Sequence, residues 1–154
     1  MSGKIETRLA ELGVTLKTAP APAANYVPSV RVGDILFVSG QISQNDDGLI
    51  TGKIGADLGI EEGAAAARTC AISLLSQVKA ALDGDLDRLV RVVKLTGFVN
   101  STPDFTNQPQ VINGCSDFLV EALGEQGRHS RSAVSAAALP MNVAVEIERI
   151  FQVK

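Results

Sequence analysis

The apolar patterns along this chain predict an α+β fold: a mixed sheet in the order ββαβαββ, two long helices on one of its faces, and a short helix in front. Three observations carry that expectation. Two stretches, Ile60 to Leu82 and Val111 to Leu123, repeat their apolar residues at helical spacing. A valine-rich, strand-like run, Leu89 to Val99, separates them, and helices interleaved with strands favour a mixed sheet with both helices on one face. The last two apolar runs, Ser130 to Ala138 and Val143 to Val153, alternate with the period of two that a half-buried strand requires.

Taken in order, Lys4 to Leu12 places Ile5, Leu9 and Leu12 on one helical face, and Gly13 is a natural stop. Thr18 to Ala24 alternates proline and alanine and reads as a connector. Val27 to Val32 and Ile35 to Ser43 read as strands joined at Gly33-Asp34. Asn45-Asp46-Asp47-Gly48 is a turn, and the glycine-bearing stretch up to Gly59 reads as loop. In the long helix, Ala67, Ala71, Leu74, Val78 and Ala81 recur at helical spacing, and Asp83-Gly84-Asp85 ends it. Gly124 closes the second helix, and Leu139-Pro140-Met141-Asn142 joins the last two strands. The expected organisation of the 154 residues is a single domain: a helix over 1–13, a connector over 14–25 and a core over 26–153. A chain of this length buries about 70% of its unfolded surface and needs no disulfide or metal to fold.

Composition narrows the function classes. The net charge is −3, aromatic residues make up 4% and there is no Trp. That argues against a nucleic-acid partner, which calls for a basic footprint and stacking side chains. Cys70 and Cys115 are far apart and sit in apolar, helix-like stretches, so they read as reduced, buried thiols rather than a redox pair. His129 is the only histidine and lies in the charged run Gly127-Arg128-His129-Ser130-Arg131, which fits a small phosphate-attracting patch but is read in preference as a solvated loop. One His and two scattered Cys make no zinc site, and no phosphate-binding glycine motif is present, so no cofactor is expected. No apolar run is long enough to span a membrane and no leader is visible, so the expected setting is soluble and cytoplasmic.

The last two strands hold the candidate chemistry. Val143, Val145 and Ile147 share one face of the final strand, and Glu146 and Glu148 share the other. In the preceding strand Val134, Ala136 and Ala138 oppose Arg131, Ala133 and Ser135. Pairing the two as a hairpin, with Val134 near Ile147, brings both apolar sets onto the helix-covered face and gathers Arg131, Ser135, Glu146 and Glu148 on the other. Arg131 then offers a planar fork for a carboxylate, and either glutamate offers a base. On pattern alone, the same residues also fit a solvated face carrying weak ion pairs.

Leu36-Phe37-Val38-Ser39-Gly40-Gln41-Ile42, Val92 to Val99 followed by Asp104-Phe105, Arg131-Ser132-Ala133-Val134, Leu139-Pro140 and Val145-Glu146-Ile147-Glu148 occur here in one order from about Tyr26 to Val153. In that order they resemble the Rid (YjgF-like) family of imine and enamine deaminases. The resemblance implies a chorismate-mutase-like fold and a homotrimer with ligand sites between subunits. It implies that Arg131 binds a small substrate's carboxylate and Glu146 handles a water. Tyr26, Ser39, Asn113, Ala133 and Phe105 would line the pocket, and Glu148 would support Arg131 or a neighbouring chain. It also implies cofactor-free hydrolysis of 2-imino or enamine acids. Family members are also described as endoribonucleases and translation inhibitors, which is one alternative; a non-catalytic trimer that binds small acids is another. Four departures suggest a longer side branch: Ala133 where the family often has Cys, Ala24-Asn25 where it has Gly-Pro, the additional N-terminal helix, and an apparent insertion over Thr106 to Gln110.

Overall fold

The computed structural model describes residues 3–154, so the first two residues of the expected N-terminal helix lie outside the described residues. The chain runs through α1 (Lys4–Glu11), β1 (Ser29–Val32), β2 (Ile35–Ile42), β3 (Gln44–Asn45), β4 (Gly48–Leu49), α2 (Ile60–Ala81), β5 (Leu89–Asn100), α3 (Gln108–Leu123), β6 (Ser130–Ala136) and β7 (Val145–Val153). Strands β1, β2, β7, β5 and β6 form one sheet in that spatial order. The β1/β2, β2/β7 and β7/β5 pairs are antiparallel, and β5/β6 is parallel. This is the mixed α+β sheet that the sequence predicts. The Asn45-to-Gly48 turn additionally closes a two-residue hairpin, β3/β4, inside the expected loop.

The core lies between the sheet and helices α2 and α3. Leu36, Val38, Leu95, Val99, Ile147 and Phe151 come from the sheet, Leu74, Leu75 and Val78 from α2, and Ile112, Phe118 and Leu119 from α3, all buried in one cluster. The small residues of α2 let the two helices close on each other: a Cβ added to Gly114 of α3 would overlap the Ala64 carbonyl. Helix α1 contributes the buried Leu9. The Asp87 carboxylate, far away in sequence, accepts hydrogen bonds from the Lys4 and Ile5 backbone amides at 2.8 and 3.0 Å. These are amides that the first turn of a helix leaves without intrahelical partners.

The expected final hairpin is not formed. Strand β7 lies between β2 and β5, while β6 sits at the sheet edge, parallel to β5. The physical reason is the helix between them: β5, α3 and β6 make a βαβ unit, whose crossover sets the second strand parallel to the first. β7 buries every second residue along its whole length, from Val145 to Val153, as a central strand should. The chain between β6 and β7 is therefore a crossover at the end of the sheet. It is tied down by Lys53, whose Nζ donates to the Ala137 carbonyl and to Asn100 Oδ1. The fully buried Asn100 donates in turn to the carbonyls of Gly52 and Val143.

This correction turns over the faces. Arg131 and Ala133 lie level with Leu95 and Gly97 of β5, on the helix-covered side, and Ser135 lies level with Val99 on that same side. Val134, expected in the core, is level with Phe98 on the open face and is 44% exposed. Glu146 and Glu148 lie level with Phe98 and Thr96, so they too are on the open face. Arg131 and Ser135 are thus on the opposite side of the sheet from both glutamates.

Candidate functional site

The residues expected to form one pocket occur in two groups. The first is on the open face. Between Val38 and Gln41 the register of β2 against β7 shifts by one residue, a bulge centred on Ser39-Gly40. Bulges of this kind bend a strand and re-aim its side chains. Ser39 Oγ donates to the Val27 carbonyl at 2.8 Å, and its backbone amide donates to the Pro28 carbonyl at 2.9 Å, which fixes the chain leading into β1. Ser39, Thr96 and Glu148 line a shallow pocket on this face together with Phe37. Beside it, Tyr26, Gly40, Gln41, Met141 and Glu146 line a cavity of about 410 Å³, closed on one side by the Pro20-to-Ala24 connector.

Glu146 is half-buried in that cavity. Its Oε1 would lie 2.6 Å from a Cβ on residue 40, so the glycine is what lets the carboxylate rest against the β2 backbone. Among the described residues no cation or hydrogen-bond donor pairs with it. Burial, with the like charge of Glu148 added, pushes its carboxyl above the ordinary carboxylate range. A carboxylate raised in this way is a better base when ionised.

The second group is at the β6 edge, against α3. Arg131 Nη1 donates to Ser116 Oγ at 3.0 Å, and Nη2 to the Pro109 carbonyl at 3.3 Å. Ser116 Oγ is also 2.9 Å from His129 Nε2, and His129 Nδ1 is 2.6 Å from the Gly127 carbonyl. Asn113 lies on the same side of α3 as Pro109 and Ser116, being four residues from one and three from the other. Phe105 precedes α3 and packs on the core margin. Thr106 to Gln110, taken from the sequence as an insertion, leads into the first turn of α3. Gln108 there donates to Ser135 Oγ at 2.7 Å and to the Phe105 carbonyl at 2.9 Å.

The structure therefore gathers Tyr26 with Glu146, and Ser39 with Glu148, on the open face, and Arg131 with Ser116 at the β6 edge. Within one copy it does not bring Arg131 to Glu148, because the two face opposite sides of the sheet. His129 is also unlike its expectation: it is half-buried and hydrogen-bonded at both ring nitrogens, not part of a solvated loop. Burial holds its imidazole below the ordinary histidine range, and the charges of Arg149 and Arg131 push the same way, against the pull of the Gly127 hydrogen bond.

Arg149 was not singled out from the sequence. It occupies a buried position of β7 between Ile147 and Phe151 and is 2% exposed. Nη2 donates to Cys115 Sγ at 3.1 Å, while Nε and Nη1 have no partner among the described residues. The readable signal was its place in the apolar alternation of the last strand. Cys70 and Cys115 are both buried and free, as expected, and burial raises both thiols. No helix among the described residues is long and apolar enough to cross a membrane.

A mixed five-stranded sheet with two helices on one face and a half-buried glutamate beside a Ser-Gly-Gln bulge defines a class of small α+β proteins, and comparison with known proteins identifies it. Residues 6–151 match the family described as "YjgF/chorismate mutase-like, putative endoribonuclease", and the chain belongs to that family. It is 51% identical to Protein TCP17 of Trypanosoma cruzi over 98% of this chain and 95% of that one. It is 33% identical to the 2-iminobutanoate/2-iminopropanoate deaminase of Escherichia coli K12, over 89% of this chain and 94% of that protein. Among solved structures it is similar to the protein Atu1372 of Agrobacterium tumefaciens, described as having unknown function. There the TM-score is 0.91 and the identity 48%, over 97% of this chain and 92% of that one.

Proposed function

We propose that this protein hydrolyses reactive 2-imino acids and their enamine tautomers to 2-oxo acids and ammonia, without a cofactor, in clefts between the copies of a homotrimer. The observation that carries the reading is Glu146: a half-buried carboxylate in a cavity with Tyr26 and Gly40, raised above its ordinary range and without a cationic partner among the described residues. A structural glutamate would be paired; a base that must take a proton from water is better left free. The similarity to a named imine deaminase over most of the chain supports the same chemistry.

Arg131 supplies the second half. With two of its N–H groups held by Ser116 and Pro109, the others remain for a carboxylate. Because Arg131 and Glu146 face opposite sides of their own sheet, a complete site takes Arg131 from one copy and Glu146 from the next. The open face supports such packing, since Val30, Phe37 and Val134 lie exposed on it. In the reaction, Arg131 holds the carboxylate and Glu146 takes a proton from water as the oxygen bonds to the imine carbon. The proton then passes to the nitrogen. That gives a carbinolamine; its hydroxyl oxygen then gives up its proton, relayed by Glu146 to the nitrogen, and forms the carbonyl as the carbon–nitrogen bond breaks, so ammonia leaves and the 2-oxo acid remains. Positioning supplies most of the acceleration.

The test is ammonia release from imino acids generated in situ, with Arg131→Ala and Arg131→Lys beside the wild type. Loss of a charged, forked contact should weaken 2-oxo acid binding on the order of 100-fold, and lysine should recover little. Wild-type turnover in Arg131→Ala would end the proposal.

A further inference from the structure

We propose that Ser116 and His129 are positioning residues for Arg131, a hydrogen-bonded relay that sets which edge of the guanidinium a ligand meets. The inference rests on the carboxylate-binding reading of Arg131 and assigns a role to two side chains that reading does not use.

The relay is a line of four groups: Arg131 Nη1 to Ser116 Oγ at 3.0 Å, Ser116 Oγ to His129 Nε2 at 2.9 Å, and His129 Nδ1 to the Gly127 carbonyl at 2.6 Å. Its two ends fix every proton. A carbonyl can only accept, so Nδ1 of His129 carries its hydrogen. In the neutral ring, Nε2 is then a bare acceptor, and the Ser116 hydroxyl must donate to it. A guanidinium can only donate, so it meets the lone pairs Ser116 has left. All donors point one way, from Arg131 to Gly127, with no ambiguous rotor.

Both ends are anchored. A Cβ on Gly127 would overlap the Leu119 carbonyl, so this turn is seated against the end of α3. Arg91 Nη2 donates to the Arg128 carbonyl at 3.0 Å and ties the same turn to β5. At the other end, the Pro109 carbonyl takes Nη2 of Arg131, so both terminal nitrogens are held by α3. A half-buried arginine on an edge strand would otherwise sample many rotamers, and ordering such a side chain carries an entropic cost. The relay meets that ordering before a ligand arrives. Burial above all, with the charges of Arg149 on β7 and Arg131 on β6 added, disfavours the protonated ring against the pull of the Gly127 hydrogen bond, and so favours this direction of the relay.

The experiment is calorimetric binding of 2-oxobutanoate, used as a stable 2-oxo acid, together with imine-hydrolysis kinetics on the full-length protein. The variants are Arg131→Ala, Ser116→Ala, His129→Ala, His129→Gln and the Ser116→Ala/His129→Ala double. The relay predicts that Ser116→Ala and His129→Ala each weaken binding about five- to tenfold, raising KM with kcat nearly unchanged. The double should lose no more than the larger single, because both break one line. His129→Gln should return to within about twofold of wild type, since the amide oxygen can accept from Ser116 where Nε2 did.

Wild-type binding in Ser116→Ala, or fully additive losses in the double, would overturn the relay while the carboxylate reading stands, provided that Arg131→Ala has lost binding. If Arg131→Ala itself binds normally, the carboxylate reading fails first. Should Ser116→Ala unfold, the histidine pair decides: no recovery in His129→Gln relative to His129→Ala refutes the relay.

Discussion

Gly40→Ala isolates the position of the Glu146 carboxylate from its chemistry. Glycine at 40 is not in the left-handed region, so alanine fits the backbone there. What it adds is a methyl group 2.6 Å from Oε1 and 3.2 Å from Cδ and Cγ of Glu146. A relaxed contact needs roughly 3.4 Å, so the carboxylate must retreat by about 0.8 Å. It is the far end of a flexible, half-buried side chain, so the stability change should stay within about 1 kcal/mol, partly offset by the lower unfolded-state entropy of alanine. A displacement near 1 Å of a reacting group can cost about 100-fold in rate, so kcat should fall between roughly 10- and 100-fold. Ammonia release from imino acids gives the rate, and thermal unfolding and 2-oxobutanoate binding give the controls. A folded Gly40→Ala with full turnover would refute the claim that Glu146 acts from this position.

Three further outcomes are expected. The acidic limb of kcat/KM should follow Glu146, whose carboxyl is raised by burial and by Glu148; activity needs the ionised form, so Glu148→Gln should move the limb to lower pH and Glu146→Gln should remove it, and an unmoved limb assigns the titration elsewhere. Asp87→Asn should destabilise by about 1 kcal/mol through the first turn of α1. The Ile5 and Lys4 amides hold the Asp87 carboxyl below its ordinary value, so its contribution is full above that value and fades as pH falls through the lowered one. The unfolding gap between wild type and Asp87→Asn should therefore close on acidification. Light scattering at micromolar concentration should report a trimer, and a monomer with full turnover would remove the shared cleft.

The sequence exposes what is local and hides what is not. Period-two alternation correctly opposed Glu146 to Ile147 and Arg131 to Val134, because pleating depends only on the strand itself. It could not say which strand lies beside which. Val134 reads as a core residue until β6 is known to be an edge strand, and only the β5–α3–β6 crossover supplies that. The same crossover placed Arg131 on the helix side, which undid the single pocket. Arg149 was legible in principle, standing among buried alternates. The relay was not, since Ser116 is on α3 and His129 in the link before β6, thirteen residues apart, and no periodicity links them. Tyr26, Ser39 and the choice of Glu146 over Glu148 came from ordered family resemblance, and the bulge at Ser39-Gly40 gives that resemblance a physical basis.

The separation of Arg131 and Glu146 onto opposite faces of one sheet has a genetic consequence. In the assembly proposed above, an allele lacking Arg131 and an allele lacking Glu146 are each inactive alone, yet they are not equivalent defects. Co-expressed, they assemble into mixed rings, and every mixed ring regenerates one cleft in which an intact arginine meets an intact glutamate. Random mixing in equal amounts should restore roughly a quarter of wild-type capacity. A cell carrying both alleles would grow where either alone fails, and two alleles damaged on the same face would never rescue each other.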